Sequence, residues 1–247
     1  MNPGEAKSSD RARLAGIARQ AMIERGLEPD FPPAAQQQLG TIGGPAGATN
    51  DARDMRDWLW ASIDNDDSRD LDQLTVAESL AGGRVRILVA IADVDALVRK
   101  DSAIDGHASR NTTSVYTPAA IFPMLPTELS TDLTSLNEDQ DRNALVADVV
   151  FEADGSLASS ELYRARVRNR AKLAYRSVAA WLDGASPPPR RIVETPGLDE
   201  NLRLQDRVAQ RLVELRHRQG ALSLESLEAR AVFAGDNLSG LELDHVG

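Results

Sequence analysis

Residues 72–92 read DQLTVAESLAGGRVRILVAIA, and this stretch sets the fold. Asp72 to Glu78 alternates polar and apolar residues, Arg84 to Ala92 is a β-branched and aliphatic run, and Gly82-Gly83 stands between them. Alternation bounded by a glycine pair predicts an antiparallel hairpin, because glycine reaches positive φ without steric cost while each strand turns one side to a core. The pattern recurs downstream. Ala144 to Ala153 and Ser160 to Arg168 flank Asp154-Gly155, a turn dipeptide that predicts a second hairpin.

Helical spacing then replaces alternation. Leu173 to Leu182 reads as one helix, and Asp199 to Gln219 as another, with Leu202, Val208, Leu212 and Leu215 on one side and Gly220 past its end. Residues 231–247, AVFAGDNLSGLELDHVG, read as a further strand and turn. Antiparallel sheets followed by helices make the fold class α+β. Upstream, Ser8 to Gly26 predicts a short amphipathic helix, capped by Ser9 or Asp10 and carrying Leu14, Ile17, Ala18, Ala21 and Met22 at helical spacing. Glu28 to Asn50 is rich in Pro, Gly, Gln and Ala without a sustained period and reads as a linker or loose arm. The expected organisation is an N-terminal helix and linker over residues 1–50 and a main domain over 51–247 that stops partway through its architecture.

Composition narrows the function classes. With no cysteine among 247 residues, disulfides, thiolate metal sites and cysteine nucleophiles are excluded, which fits a reducing cytoplasm. No apolar run has the length to cross a bilayer, so no membrane role is expected. A net charge of −10 opposes indiscriminate coating of a polyanion unless cations or local basic patches offset it. Three scattered histidines do not suggest a histidine metal cluster.

Just ahead of the first hairpin lies SIDNDDSRDLDQ, residues 62–73. It holds carboxylates at Asp64, Asp66, Asp67, Asp70 and Asp72, with Arg69 as the only cation. Such crowding is costly unless solvent or cations relieve it. Carboxylate oxygens suit hard cations such as Mg²⁺, which support phosphodiester cleavage by activating water and stabilising a leaving oxygen. For such a cluster taken alone, a solvated acidic loop is the favoured reading. An EF-hand loop does not, because Arg69 stands where glycine is needed and Thr75 where the bidentate glutamate is needed.

The wider run settles between these readings. SIDNDDSRDLDQ, then RVRILVAIADV, then NTTSVYTPAAIFPMLPTELSTDLTSLN with DRNALVADV, resembles the ribonuclease II (RNB) family in motif order and spacing, from Trp60 to Leu182. The resemblance implies an RNB-like catalytic domain that degrades single-stranded RNA hydrolytically from the 3′ end with Mg²⁺, Mn²⁺ being the alternative ion, and releases nucleoside 5′-monophosphates. Under it, Asp64, Asp70 and Asp72 match three of the family's four catalytic aspartates and hold the metal, and Gln73 stands at the fourth. A neutral amide is a much weaker metal ligand than a carboxylate. Tyr116 matches a tyrosine that stacks on a nucleotide near the 3′ end, and Tyr175 one close to the terminal nucleotides. Asp93 matches a motif position that orders the loop beside the site.

RARVRNRAK adds a cationic stripe. Arg164, Arg166, Arg168, Arg170 and Lys172 alternate, so an extended chain projects them from one face, where they can meet RNA phosphates or protect a strand edge. The family's second catalytic half is missing from this sequence, so the expected partners are RNA and a second chain that completes the domain. An inactive RNA-binding or regulatory module of the same ancestry is the alternative.

Overall fold

The computed structural model describes residues 9–49, 51–222 and 226–246. Ser8, Asn50 and Gly247, which bound three of the expected segments, lie outside the described residues. Along the chain run α1 (Asp10–Glu24), α2 (Pro33–Leu39), β1 (Arg53–Asp54), β2 (Ala61–Asp64), β3 (Gln73–Ser79), β4 (Val85–Ala92), α3 (Ala103–Asn111), β5 (Val115–Tyr116) and β6 (Ile121–Phe122). There follow β7 (Asp141–Phe151), β8 (Leu157–Arg168), β9 (Ala171–Ala174), α4 (Tyr175–Leu182), α5 (Arg190–Glu194), α6 (Leu198–Arg218), β10 (Ser226–Ala234) and β11 (Asn237–Val246). They fall into two compact units, one made of residues up to Thr41, Lys100–Pro126 and Leu222 onward, the other of Ile42–Arg99 and Thr127–Ala221.

The second unit is built on a seven-stranded sheet in the order β1-β8-β7-β4-β3-β2-β9. Its centre is the pair of expected hairpins. β3 and β4 pair antiparallel from Gln73↔Ile91 to Ser79↔Val85, with Gly82 and Gly83 at positive φ in the connection. β7 and β8 pair from Asp141↔Arg168 to Phe151↔Leu157 around Gly155, also at positive φ. The two-residue period sorts the core. Leu74, Val76, Leu88, Ala90, Ala144, Val146, Ala165 and Val167 form one buried layer with Trp60 and Leu136. Residues of the other parity, Ala77, Val85, Ile87 and Phe151, meet Val208 of α6. Trp60 is wholly buried, and its indole N–H donates to the Met55 carbonyl at 2.8 Å, so its burial leaves no polar atom unmatched.

The flanks of the sheet add parallel pairs to the antiparallel hairpins expected of this α+β fold. β1 pairs parallel with β8, and β2 pairs parallel with β9 from Ala61↔Ala171 to Asp64↔Ala174, so the sheet is mixed. Ala61, Ala171 and Leu173 of that second pair pack against Val178, Trp181, Ile192, Leu198 and Leu202 on α4, α5 and α6. The helix expected from Leu173 starts two residues later, because Leu173 and Ala174 belong to β9. α6 matches its reading closely, with Asp199 and Glu200 in its first turn and Arg216, His217 and Arg218 in its last, each sign complementing the helix dipole.

In the first unit, α1 is capped as expected, the Ala12 amide donating to Ser9 Oγ at 3.2 Å. Of its apolar positions only Met22 is buried, whereas Ile17 is 64% exposed. The stretch read as a linker contains α2, which opens on Pro33 and is held when the Ile104 amide donates to Gln38 Oε1 at 2.9 Å. β10 and β11 form an antiparallel hairpin, where the final motif was read as one further strand and a turn.

Candidate active site

The aspartate segment spans the gap between two neighbouring strands of the sheet. Asp64 is the last residue of β2 and Gln73 the first of β3, so the loop between them lies at one end of the sheet. Asp70 and Asp72 precede β3 and are not part of its regular strand. Across the parallel pair, Asp64 is level with Ala174, and Tyr175 follows directly as the first residue of α4. One end of the sheet therefore carries Asp64, Gln73 and, just past β9, Tyr175, with Asp70 and Asp72 in the loop there. Tyr175 is 49% exposed, leaving ring surface for a ligand.

The electrostatics agree with crowding. The Asp72 carboxyl lies above the usual carboxylate range, first because its surroundings strip hydration from the charged form and then because Asp64 and Asp70 repel it. Asp64 Oδ1 accepts from the Ser68 hydroxyl at 2.8 Å and from the Asn65 amide at 2.6 Å. These acidic oxygens are the donor type a hard cation takes, and the repulsion felt by Asp72 is what a cation would relieve. As they stand, no three His, Asp or Glu side chains among the described residues converge tightly enough to enclose a metal ion. The residues fit Mg²⁺ in chemistry and in sign of charge, and ion binding would have to draw them together.

Around this loop the backbone is closely held. Leu136 N donates to Leu71 O at 2.7 Å, and Ala92 N to Asp72 O at 2.9 Å. The buried Ser135 hydroxyl accepts from Leu71 N at 3.1 Å and donates to Arg69 O at 3.0 Å. Asn169, buried to 1% exposure, donates from Nδ2 to Ser62 Oγ and to Leu136 O, each at 3.0 Å, and accepts from Ala171 N at 3.1 Å. The reading of the sequence assigned none of these contacts. Their signal was present, since Ser135 and Asn169 are polar residues inside the SLN and RNR motifs.

The cationic stripe is committed to internal acceptors. Arg164 meets Asp93 at 3.2 Å and Asp95 at 3.3 Å. Arg166 donates to Asn143 Oδ1 at 2.9 Å and to Ala46 O at 3.0 Å, and Arg168 to Asp141 at 2.6 Å. Arg170 donates to the Arg56 carbonyl and lies 3.4 Å from Asp57. Lys172 reaches the acidic loop, with Nζ 2.6 Å from Ser68 O and 3.3 Å from Asp66 O. Asp93, with a side chain 7% exposed, thus pairs with Arg164. Tyr116 belongs to β5 in the first unit, where it is 64% exposed.

Among the described residues no helix is long and apolar enough to cross a membrane. Residues 52–244 match the RNB domain. Ribonuclease R of Vibrio parahaemolyticus is 34% identical over 206 residues, covering 83% of this chain and 24% of that protein. Exoribonuclease 2 of Salmonella heidelberg is 34% identical over 168 residues, 67% of this chain and 25% of that protein. Among solved structures, Mycoplasma genitalium RNase R in complex with ribose-methylated single-stranded RNA matches with a TM-score of 0.81 at 23% identity, over 93% of this chain and 35% of that one. The last likeness is one of fold. The chain spans about a quarter of the length of these curated relatives. With an RNB match over most of its residues, this chain belongs to the RNB-domain family.

Proposed function

We propose that the chain is a metal-dependent hydrolytic 3′→5′ exoribonuclease on single-stranded RNA that releases nucleoside 5′-monophosphates. What supports this reading is that Asp64, Asp70 and Asp72 lie at the same end of the sheet as exposed Tyr175, within a domain whose relatives are named Ribonuclease R and Exoribonuclease 2. Asp64, Asp70 and Asp72 would hold Mg²⁺, or Mn²⁺ in its place. A bound ion of this kind supplies water activation and charge neutralisation at phosphate.

Tyr175 offers a flat face on which a base stacks without being read for sequence. Tyr116, in the first unit, is proposed separately as a nucleotide-stacking residue. Gln73 supplies an amide that can hold a water or a phosphate oxygen by hydrogen bonds but adds no negative charge. Arg166, Arg168 and Arg170 complete the proposed RNA surface. Each would exchange an internal acceptor for phosphate, so their net gain is small and falls with salt. A cytoplasmic setting is part of the proposal.

A second reading, an RNA-binding module without turnover, is favoured by Gln73 at the fourth acidic position and by the absence, among the described residues, of a three-carboxylate set already gathered. One experiment separates the two. Single-stranded RNA labelled at its 3′ end is incubated with the chain and Mg²⁺. Labelled mononucleotide that disappears with EDTA supports the exoribonuclease, and retention of intact RNA by the folded chain supports the binding module.

A further inference from the structure

The acidic loop is held from two sides by side chains that touch none of its carboxylates. Ser135 Oγ accepts from the Leu71 amide at 3.1 Å and donates to the Arg69 carbonyl at 3.0 Å, with Asn137 Oδ1 a longer alternative acceptor at 3.3 Å, so one buried hydroxyl bonds the peptide groups before and after Asp70. Lys172 Nζ donates to the carbonyls of Ser68 and Asp66, and Ser68 in turn donates to Asp64 Oδ1. Both anchors stand on regular or firmly bonded backbone. Lys172 lies in β9 with its own amide bonded to Glu138 Oε1 at 2.9 Å, and Ser135 precedes Leu136, whose amide bonds Leu71 O.

We infer that Ser135 and Lys172 are positioning residues for the metal-holding aspartates, setting the backbone of residues 64–72 so that Asp64, Asp70 and Asp72 can be drawn together around an ion. The inference rests on the functional reading of that segment given above. Its physical content is preorganisation. Carboxylates that repel one another splay apart when the loop is free, and an ion must then supply the ordering that the anchors otherwise provide. Lys172 was grouped in sequence with the phosphate-facing cations, yet its ammonium caps loop carbonyls.

A discriminating feature is the sign of the Lys172 effect. A lysine acting only through its charge repels a bound cation, so Lys172→Met would tighten cation binding. A positioning lysine does the opposite. The test measures Mn²⁺ binding by electron paramagnetic resonance of the free ion, using the intact chain, Ser135→Ala, Lys172→Met and Lys172→Arg, together with kcat and KM on single-stranded RNA. Supporting groups around metal ligands change affinity or activity by roughly 10- to 100-fold, so Ser135→Ala and Lys172→Met are expected to weaken Mn²⁺ by about tenfold or more and to lower kcat with little change in KM. Lys172→Arg, which keeps a donor there, is expected to restore most of both.

Equal Mn²⁺ affinity across the variants, tighter binding in Lys172→Met, or no Mn²⁺ binding by the parent chain overturns the inference. If the parent binds Mn²⁺ but releases no nucleotide, the exoribonuclease reading fails while the affinity ratios still decide the positioning role. Thermal melts identify a variant that does not fold, and if Ser135→Ala is one, the Lys172→Met and Lys172→Arg pair carries the test.

Discussion

Replacing Asn169 by alanine should remove a large share of the stability of the sheet unit. Its side chain makes three bonds in a site 1% exposed: two from Nδ2, to Ser62 Oγ and Leu136 O, and one from Ala171 N to Oδ1. Asn169→Ala leaves the Leu136 carbonyl and the Ala171 amide without this partner in a place water does not reach. A buried polar group stripped of its partner costs roughly 1–3 kcal/mol, so the two together cost about 2–6 kcal/mol. We expect a value of about 3 kcal/mol, because the Ser62 hydroxyl can rotate toward one of the orphaned groups. Against a total stability of about 5–15 kcal/mol for a domain, that is a large fraction. Urea unfolding followed by circular dichroism gives the difference directly, with an unchanged m-value marking a change in stability alone. A loss below about 1 kcal/mol would refute the account of Asn169 as the internal tie between β2, β9 and the Leu136 segment.

Three further outcomes follow from the site. Because the Asp72 carboxyl lies above its ordinary range, protonation favours the folded state, so its contribution is most favourable below the unfolded value and is lost as pH rises through the folded one. Asp72→Asn should therefore melt above the parent at pH 7, and the two should converge near pH 3; a lower melting temperature at pH 7 would contradict the burial and repulsion that raise the Asp72 carboxyl. Gln73→Asp restores a fourth carboxylate and should raise Mg²⁺-supported turnover by about tenfold, equivalent to about 1.4 kcal/mol, and an unchanged rate would show that Gln73 is not the limiting residue. Tyr175→Ala should weaken single-stranded RNA binding by about 1–3 kcal/mol if the ring stacks on a base, with Tyr175→Phe close to the parent, and fluorescence anisotropy on a labelled oligonucleotide measures both.

The sequence made some elements legible and hid others for physical reasons. The β3–β4 and β7–β8 hairpins were readable because long alternating strands and the Gly82-Gly83 and Asp154-Gly155 turns encode them locally. α6 was readable from its apolar stripe and from Gly220 past its end. The edge strands β1 and β9 were not, since strands of two and four residues have no period to detect and exist through partners over 100 residues away, as in Arg53↔Ala165 and Ala61↔Ala171. α2 was masked by a Gln- and Ala-rich composition, although Pro33 at its first turn is a helix-start signal.

At the candidate site, the charge of the aspartate segment alone did not separate a metal site from a solvated loop, whereas the ordered motifs around it carried the resemblance to the RNB family, which the comparison over residues 52–244 shows. The alternation of Arg164 to Lys172 was visible as a pattern. What each cation meets was not, because Asp93, Asp141, Asp57 and the Ser68 carbonyl reach them only through the fold. Ser135 and Asn169 received no role from the sequence, because what they hold depends on burial and on partners brought in by the fold.

The central claim is that Asp70 and Asp72 belong to a metal-dependent centre and are not RNA-gripping groups. Turnover and RNA affinity of Asp70→Asn and Asp72→Asn, measured on the same single-stranded RNA in Mg²⁺, test it most directly. Removing a metal-holding carboxylate forfeits several kcal/mol of charge stabilisation, so turnover should fall on the order of a thousandfold while affinity changes by less than about threefold. Loss of binding in proportion to loss of turnover, or turnover that survives both substitutions, would contradict it.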